Sequence, residues 1–285
     1  MSAAVDALER TFAALDADVP QRSHLPMGDG ELLVMPAWGP GGMGVKLVTV
    51  NPSNPARGKN LINGVYVLFD AASLEPVLTI DGAAVTALRT PAVSALATRH
   101  LAPEDAARLV VFGSGTQARG HVEAMQAVRP VASVVVVARS DPAAFVDSLR
   151  AGGVEARSGD PQDVAEAELV CTCTTSASPL FDGSLLARGA HVNAVGAYKP
   201  HARELDDATI RRALVVVEDR DAATAEAGDV VQPIASGALD PAMIKDLHEV
   251  VTGAELPAAD VTVFKSVGLA SEDLAVATAA FAALS

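Results

Sequence analysis

The segment Leu109-Val110-Val111-Phe112 is a short apolar run, and Gly113-Ser114-Gly115-Thr116-Gln117-Ala118 follows it directly as G-x-G-x-x-A. A strand that ends in such a loop and then opens a helix, expected here to run through Val128, limits the fold more than any other feature of this chain. Gly113 allows the tight turn, Gly115 removes a side chain where a pyrophosphate must approach the backbone, and Ala118 lets the helix pack close to the sheet. The helix start then offers unpaired N–H groups to phosphates. Without its flanks the motif is weak, and its bland alternative is a glycine turn with no ligand.

From Arg108 onward the rhythm continues as strand, helix, strand. Ser133–Ala138, Leu169–Thr172, His191–Val195, Leu214–Val217 and Val261–Phe264 read as apolar strands, with helical segments between most of them. Near-continuous apolar strands alternating with helices imply a parallel sheet covered on both faces. The preceding part reads differently. Residues 2–16 carry Val5, Leu8, Phe12 and Leu15 at helical spacing. Short β-rich runs follow at Glu31–Pro36, Met43–Val50, Asn63–Asp70 and Glu75–Ile80, separated by Gly, Pro and Asn, as in an antiparallel sheet. Residues 82–102 are helical in pattern, but Pro91 falls inside. An interior proline costs about 3 kcal/mol, so two helices are expected, with Thr90 as N-cap, Pro91 at the first position of the second, and Arg89 at the break. Leu269–Ala283 closes the chain as an amphipathic helix. The expected architecture is α/β: a doubly wound parallel-sheet (Rossmann) domain, 103–262, inserted into an α+β, mostly antiparallel substrate and dimerisation domain, 1–102 plus 263–285.

At 285 residues with 50% hydrophobic side chains the chain can bury a core without disulfides or metals. Its net charge of −14 repels phosphate backbones and anionic lipid, so neither nucleic acid nor membrane is an expected partner. Cys171 and Cys173 lie two apart on a predicted strand, both on one face, a poor geometry for a disulfide. They read as buried thiols in a reducing compartment. No zinc-type spacing occurs, and no metal is expected. Met1–Arg10 has no basic region ahead of an apolar stretch, so no signal peptide is expected, and no apolar run approaches the ~20 residues of a membrane helix. A cytoplasmic protein is the expectation.

Cofactor choice is read at the end of the second strand of the nucleotide unit. Ala138-Arg139-Ser140 stands where an NAD site usually has Asp or Glu. Arg139 can pair with a 2′-phosphate and Ser140 can donate to it, which favours NADPH and leaves NADH possible. Thr172 and Thr174 are placed to line the cofactor at the carboxyl ends of the sheet, and Val195 and Gly196, at the end of the next strand, join them as candidate cofactor contacts.

Three basic residues stand out in this acidic chain. Lys46 lies among strongly apolar neighbours in Met43–Val50, Arg89 at the expected helix break, and Arg22 after Pro20 ahead of the first predicted strand. Converging, they would focus positive potential on a carboxylate; singly, each is more often exposed or snorkelling. His121 reads as helix surface, Asp219 and Asp229 as local caps or pairs, and Trp38, in WGPGGMG, as a candidate dimer contact.

The chain resembles the ornithine cyclodeaminase/mu-crystallin family over nearly its whole length. The matching stretches include VPQR around Arg22, ELLVMPA, GVKLVTVNP, ALRTPAVSALATRHLA, VVFGSGTQARGHVEA, NAVGAYKPHARELD, AEAGDV and VFKSVGLASEDLA. The resemblance implies that Arg22, Lys46 and Arg89 grip a substrate α-carboxylate, with Lys46 and Arg89 in catalytic roles and Glu31 near the substrate. It implies homodimers built through the antiparallel domain, an active site facing the nucleotide domain, and a segment from Lys265 through Gly268 to Leu269 close to the nicotinamide. Two departures follow. The chain starts within the family's first helix, leaving its leading strand unmatched, and Tyr198 stands where ornithine cyclodeaminases carry an aspartate. A phenol with pKa ≈ 10 cannot replace a carboxylate base near neutrality, so cyclodeamination is disfavoured. What remains is reduction of a cyclic ketimine carboxylate: Δ1-pyrroline-2-carboxylate to L-proline, with Δ1-piperideine-2-carboxylate to L-pipecolate as a second reaction. The alternatives are an ornithine cyclodeaminase, an alanine dehydrogenase, or a crystallin-like protein that binds NADPH and turns nothing over.

Overall fold

The computed structural model describes residues 1–14, 19–39 and 41–284. Two compact units emerge: Ala3–Arg89 with Gly268–Ser285, and Thr90–Val267 with Met1–Ser2.

The first unit is an antiparallel sheet with helices. After α1 (Ser2–Ala14) come β1 (Ser23–Met27), β2 (Gly30–Gly39), β3 (Gly42–Val50), β4 (Ile62–Phe69) and β5 (Pro76–Asp81), paired in chain order. Val5, Leu8 and Phe12 are buried along α1, while Leu15 and Asp16 lie outside the described residues. Side-chain alternation decides which face is covered. Met35, Lys46 and Tyr66 stand in register across β2, β3 and β4 and all point inward. The chain's last helix, α9 (Ala270–Ala282), brings Leu274 and Ala277 into the same core as Leu33, Val48 and Leu68. Strand β1 escaped the sequence reading because every residue of Ser-His-Leu-Pro-Met is exposed, so an edge strand left no buried-face pattern.

One expectation fails between β5 and the second unit. Residues Gly82–Leu101 form a single helix, α2, with Pro91 inside it, rather than two helices broken at Arg89. Proline still lacks the N–H that the Ala87 carbonyl, four residues back, would have accepted. The loss is outweighed by burial: Ala92, Val93, Ala95, Leu96 and Ala97 are all fully inaccessible, a tertiary gain that local propensity does not contain.

The second unit holds a parallel sheet of eight strands. Its elements are β6 (Arg108–Phe112), α3 (Thr116–Val128), β7 (Ser133–Val137), α4 (Ala143–Ala151), β8 (Glu155–Ser158), β9 (Leu169–Thr172) and β10 (His191–Ala194), then α5 (Asp207–Arg212), β11 (Ala213–Val217), α6 (Arg220–Glu226), α7 (Gly228–Ser236), β12 (Lys245–Asp246), α8 (Leu247–Val251) and β13 (Val261–Lys265). The strand order is β12-β11-β13-β10-β9-β6-β7-β8. The order reverses beside β6, where an open α/β sheet presents its strand ends to a ligand. No described helix is long and apolar enough to cross a membrane.

Candidate functional site

The three singled-out cations of the antiparallel unit come together. Lys46 projects inward from the middle of β3, where its ammonium meets Asp273 Oδ1 at 2.8 Å and donates to Thr86 Oγ1 at 3.3 Å. Arg89 on α2 donates through Nη1 to Glu272 Oε2 at 2.9 Å, and its Nε lies 3.5 Å from Asp273. Arg22 donates through Nη2 to the Gly268 carbonyl at 2.7 Å. Gly268 joins the two arginines: its φ is +80°, and a Cβ there would stand 2.2 Å from Arg89 Nη1. Only glycine lets the guanidinium lie against the backbone at that point.

Burial gives these charges their force. Lys46 is 2% exposed, Arg89 7%, and Glu272 and Asp273 are wholly inaccessible. Loss of hydration, with the Arg89 charge adding to it, pulls the Lys46 pKa down to about 8, while Asp273 holds it from falling further. Beside Lys46, the Tyr66 hydroxyl is pushed well up by burial and by the Asp273 charge. Glu272 and Asp273 sit in the first turn of α9, where the helix dipole favours carboxylates. Neither was singled out from the sequence. A signal existed, because they are the only charged residues of an otherwise Ala-rich apolar helix.

Glu31 is placed elsewhere. It pairs with His24 at 3.2 Å across β1 and β2. Along β2 it stands four residues from Met35, the register partner of Lys46, which is about 13 Å of strand.

The parallel unit carries the glycine loop where expected. Gly113 has φ +112°, and a Cβ there would lie 2.8 Å from the Cys173 carbonyl. Gly115 is the N-cap of α3 with no side-chain cap bond, and a Cβ there would meet nothing within 4 Å. A tight turn and an open, uncapped helix start fit a dinucleotide pyrophosphate. Ser114 and Thr116 flank the cap, and Gln117 and Ala118 continue the first turn, with Ala118 buried. Arg139 and Ser140 stand exposed just beyond β7, the neighbour of β6.

Several other cofactor candidates prove to be committed within the protein. The Thr172 hydroxyl donates to Glu204 Oε2 at 2.8 Å, and the Thr174 hydroxyl and amide reach Oε1 at 2.6 and 2.8 Å. The Gly196 amide adds a bond to Oε2 at 2.7 Å, and Ala197 another at 3.3 Å. Val195 spends its amide on the Thr172 carbonyl. Glu204, fully buried, thus ties the ends of β9 and β10 together. Sequence reasoning missed it, since a loop glutamate has no periodicity to betray it. Lys265 is also turned inward: its ammonium meets Asp229 at 3.0 Å and donates to the Ala197 carbonyl. Gly268 lies against Arg89 and accepts from Arg22.

Asp229 is no local cap; it is buried and accepts from the Glu204 and Leu205 amides at 2.7 and 2.8 Å. His121 is not helix surface. It is fully buried between Ser94 Oγ and the Gln117 carbonyl, and burial lowers its pKa to about 4. Asp219 does cap α6. Cys171 and Cys173 are free thiols, and burial raises Cys171 to about 12 and Cys173 well above its ordinary value.

A dinucleotide-type parallel sheet and an antiparallel sheet with a buried cationic cluster define the class of protein: a two-unit chain built to hold a nucleotide and a small acid. It belongs to the ornithine cyclodeaminase/mu-crystallin family, whose profile matches residues 1–284. It is 35% identical over 283 residues to a Δ(1)-pyrroline-2-carboxylate reductase of Bacillus cereus (strain ZK / E33L), covering 93% of this chain and 86% of that protein. Among solved structures it is similar to Thermococcus litoralis Δ(1)-pyrroline-2-carboxylate reductase in complex with NADH and L-proline. The TM-score there is 0.92 at 29% identity, over 99% of this chain and 92% of that one. An archaeal alanine dehydrogenase dimer with bound NAD superposes with a TM-score of 0.93 at 27% identity, over 99% and 90% of the two chains.

Proposed function

We propose that this chain is an NAD(P)H-dependent reductase of cyclic ketimine carboxylates. Δ1-Pyrroline-2-carboxylate, giving L-proline, is the leading substrate, and Δ1-piperideine-2-carboxylate, giving L-pipecolate, the second. The observation that carries this reading is the meeting of Arg22, Lys46 and Arg89 around Gly268 and Asp273. Three cations of fixed direction are suited to neutralise and orient one carboxylate, so these residues act mainly by positioning.

Gly113, Gly115 and the start of α3 would hold the dinucleotide, which when bound supplies the hydride. Arg139 and Ser140 favour NADPH through a 2′-phosphate, with NADH accepted. The imine carbon gains the hydride while the C=N π pair moves to nitrogen. A nitrogen protonated beforehand keeps its proton, and the amine takes a second from solvent. The residues around the acid therefore need supply no strong acid. Tyr198, half-buried with the Lys199 ammonium 5.5 Å over its ring, offers no carboxylate for cyclodeamination.

A homodimer belongs to the same reading. The outward face of the antiparallel sheet carries Val34, Leu47 and Val65 in one register row and Pro36 and Val45 in the next, with Trp38 beyond them, all exposed or half-buried. An apolar sheet face of that extent is suited to a second copy of itself. Two free thiols accord with a reducing compartment such as the cytoplasm.

The test is loss of NADPH or NADH absorbance with each ketimine, with pyruvate plus ammonia, and with ornithine. Rapid oxidation with the ketimines alone is expected, faster with NADPH. Arg89→Ala is expected to raise KM for the imine at least tenfold and leave NADPH affinity unchanged. Turnover only with pyruvate and ammonia, or none, would reject the assignment.

A further inference from the structure

Glu272 is harder to account for than Asp273. Both acids share the favourable first turn of α9, but Asp273 already meets Lys46 and approaches Arg89. A second, wholly inaccessible carboxylate directed at Arg89 is costly to bury and withdraws one unit of positive charge from the place that must attract a substrate. A cluster of uncompensated cations would draw the most highly charged anion available, di- and tricarboxylates and phosphate esters included. Charge withdrawn by a fixed carboxylate weakens attraction for every anion, and for a dianion about twice as much as for a monoanion.

We propose that Glu272 is a specificity-determining residue: as the buried counter-ion of Arg89, it holds the acid site to ligands with a single carboxylate and turns away dicarboxylates. Glu272 works through Arg89, by setting the charge the ligand meets. The inference rests on the reading of Arg22, Lys46 and Arg89 as a carboxylate site, and it narrows the substrate class to monocarboxylic imino acids. A purely structural counter-ion would change stability and leave the preference between one and two carboxylates untouched.

The experiment is calorimetric titration of the full chain with pyrrole-2-carboxylate and pyrrole-2,5-dicarboxylate, one ring carrying one or two charges. The wild type is expected to bind the monocarboxylate at least tenfold more tightly. Glu272→Gln, which keeps an acceptor for Arg89, is expected to narrow that ratio at least tenfold, and Glu272→Asp, which keeps the charge, to preserve it. Glu272→Met makes the same comparison should the amide variant not fold. Comparing ratios cancels the bulk of the second carboxylate, which is the same for every variant. A wild-type preference below threefold, a ratio unmoved in Glu272→Gln, or an equal change in Glu272→Asp overturns the inference. So does binding of neither probe, which removes the acid site as well. Reduction of the ketimines by NADPH is read separately: selectivity without turnover would reject the reductase and keep this inference, and turnover without selectivity the reverse.

Discussion

Asp273 sets both carboxylate oxygens on the Lys46 ammonium, at 2.8 and 2.7 Å, within a core that almost excludes water. The pair keeps a buried lysine charged near neutrality, which suits the proposed grip on a carboxylate. The groups facing Lys46 are Tyr66 from β4, Thr86 and Arg89 from α2, and Glu272 and Asp273 from α9.

With the Lys46 pKa near 8, its charge is lost as pH rises through that value. The kcat/KM for the imino acid is therefore expected to fall above pH 8 by up to about tenfold per unit. Asp273→Asn removes the charge that opposes desolvation, so the fall should begin at lower pH. Stability moves the other way. Between about 8 and 10.5 the unfolded chain binds more protons at this lysine than the folded one, so its contribution to stability rises with pH there. A pH series of kcat/KM and of urea midpoints reads both; a flat activity profile from pH 7 to 9.5 contradicts the first.

Gly268→Ala places a methyl group where Arg89 lies, at a backbone angle that alanine resists. The expected result is at least a tenfold weaker KM for the imine, with NADPH affinity by fluorescence within twofold of wild type. Unchanged KM would mean that the arginine need not lie on that backbone for binding.

Glu204→Gln puts an amide NH2 against backbone N–H donors and against two threonine hydroxyls that would have to turn round to accept. Breaking a buried network of this kind costs about 3 kcal/mol, measurable by denaturant unfolding. Loss below about 1 kcal/mol would show that the loops hold without it.

Leu47→Glu introduces a charge into the middle of the outward sheet face. Light scattering is expected to give a dimer for the wild type and a monomer for the variant, with secondary structure unchanged. A dimer that persists in the variant assigns the interface to another surface.

How much of this was legible in the sequence depends on how local each signal is. The glycine loop could be read because turn, cap and flanking strand are contiguous, and Lys46 because one charge interrupts an apolar strand. The continuity of α2 through Pro91 could not, since burial against distant residues decides it. The partners of Glu204 and Lys265 could not be read for the same reason: they come from other parts of the chain, the ends of β9 and β10 for Glu204 and the first turn of α7 for Lys265. The acidic pair of α9 lay in plain view within a matched stretch, but only coordinates reveal which basic groups it serves.

Because Lys46 and Arg89 already hold carboxylate companions, an acid bound as proposed would find its hosts in place and on leaving would strand no naked ion. Both charges are settled before any ligand is met, so exchange of one guest for the next would be a change of neighbours with no rebuilding of the host.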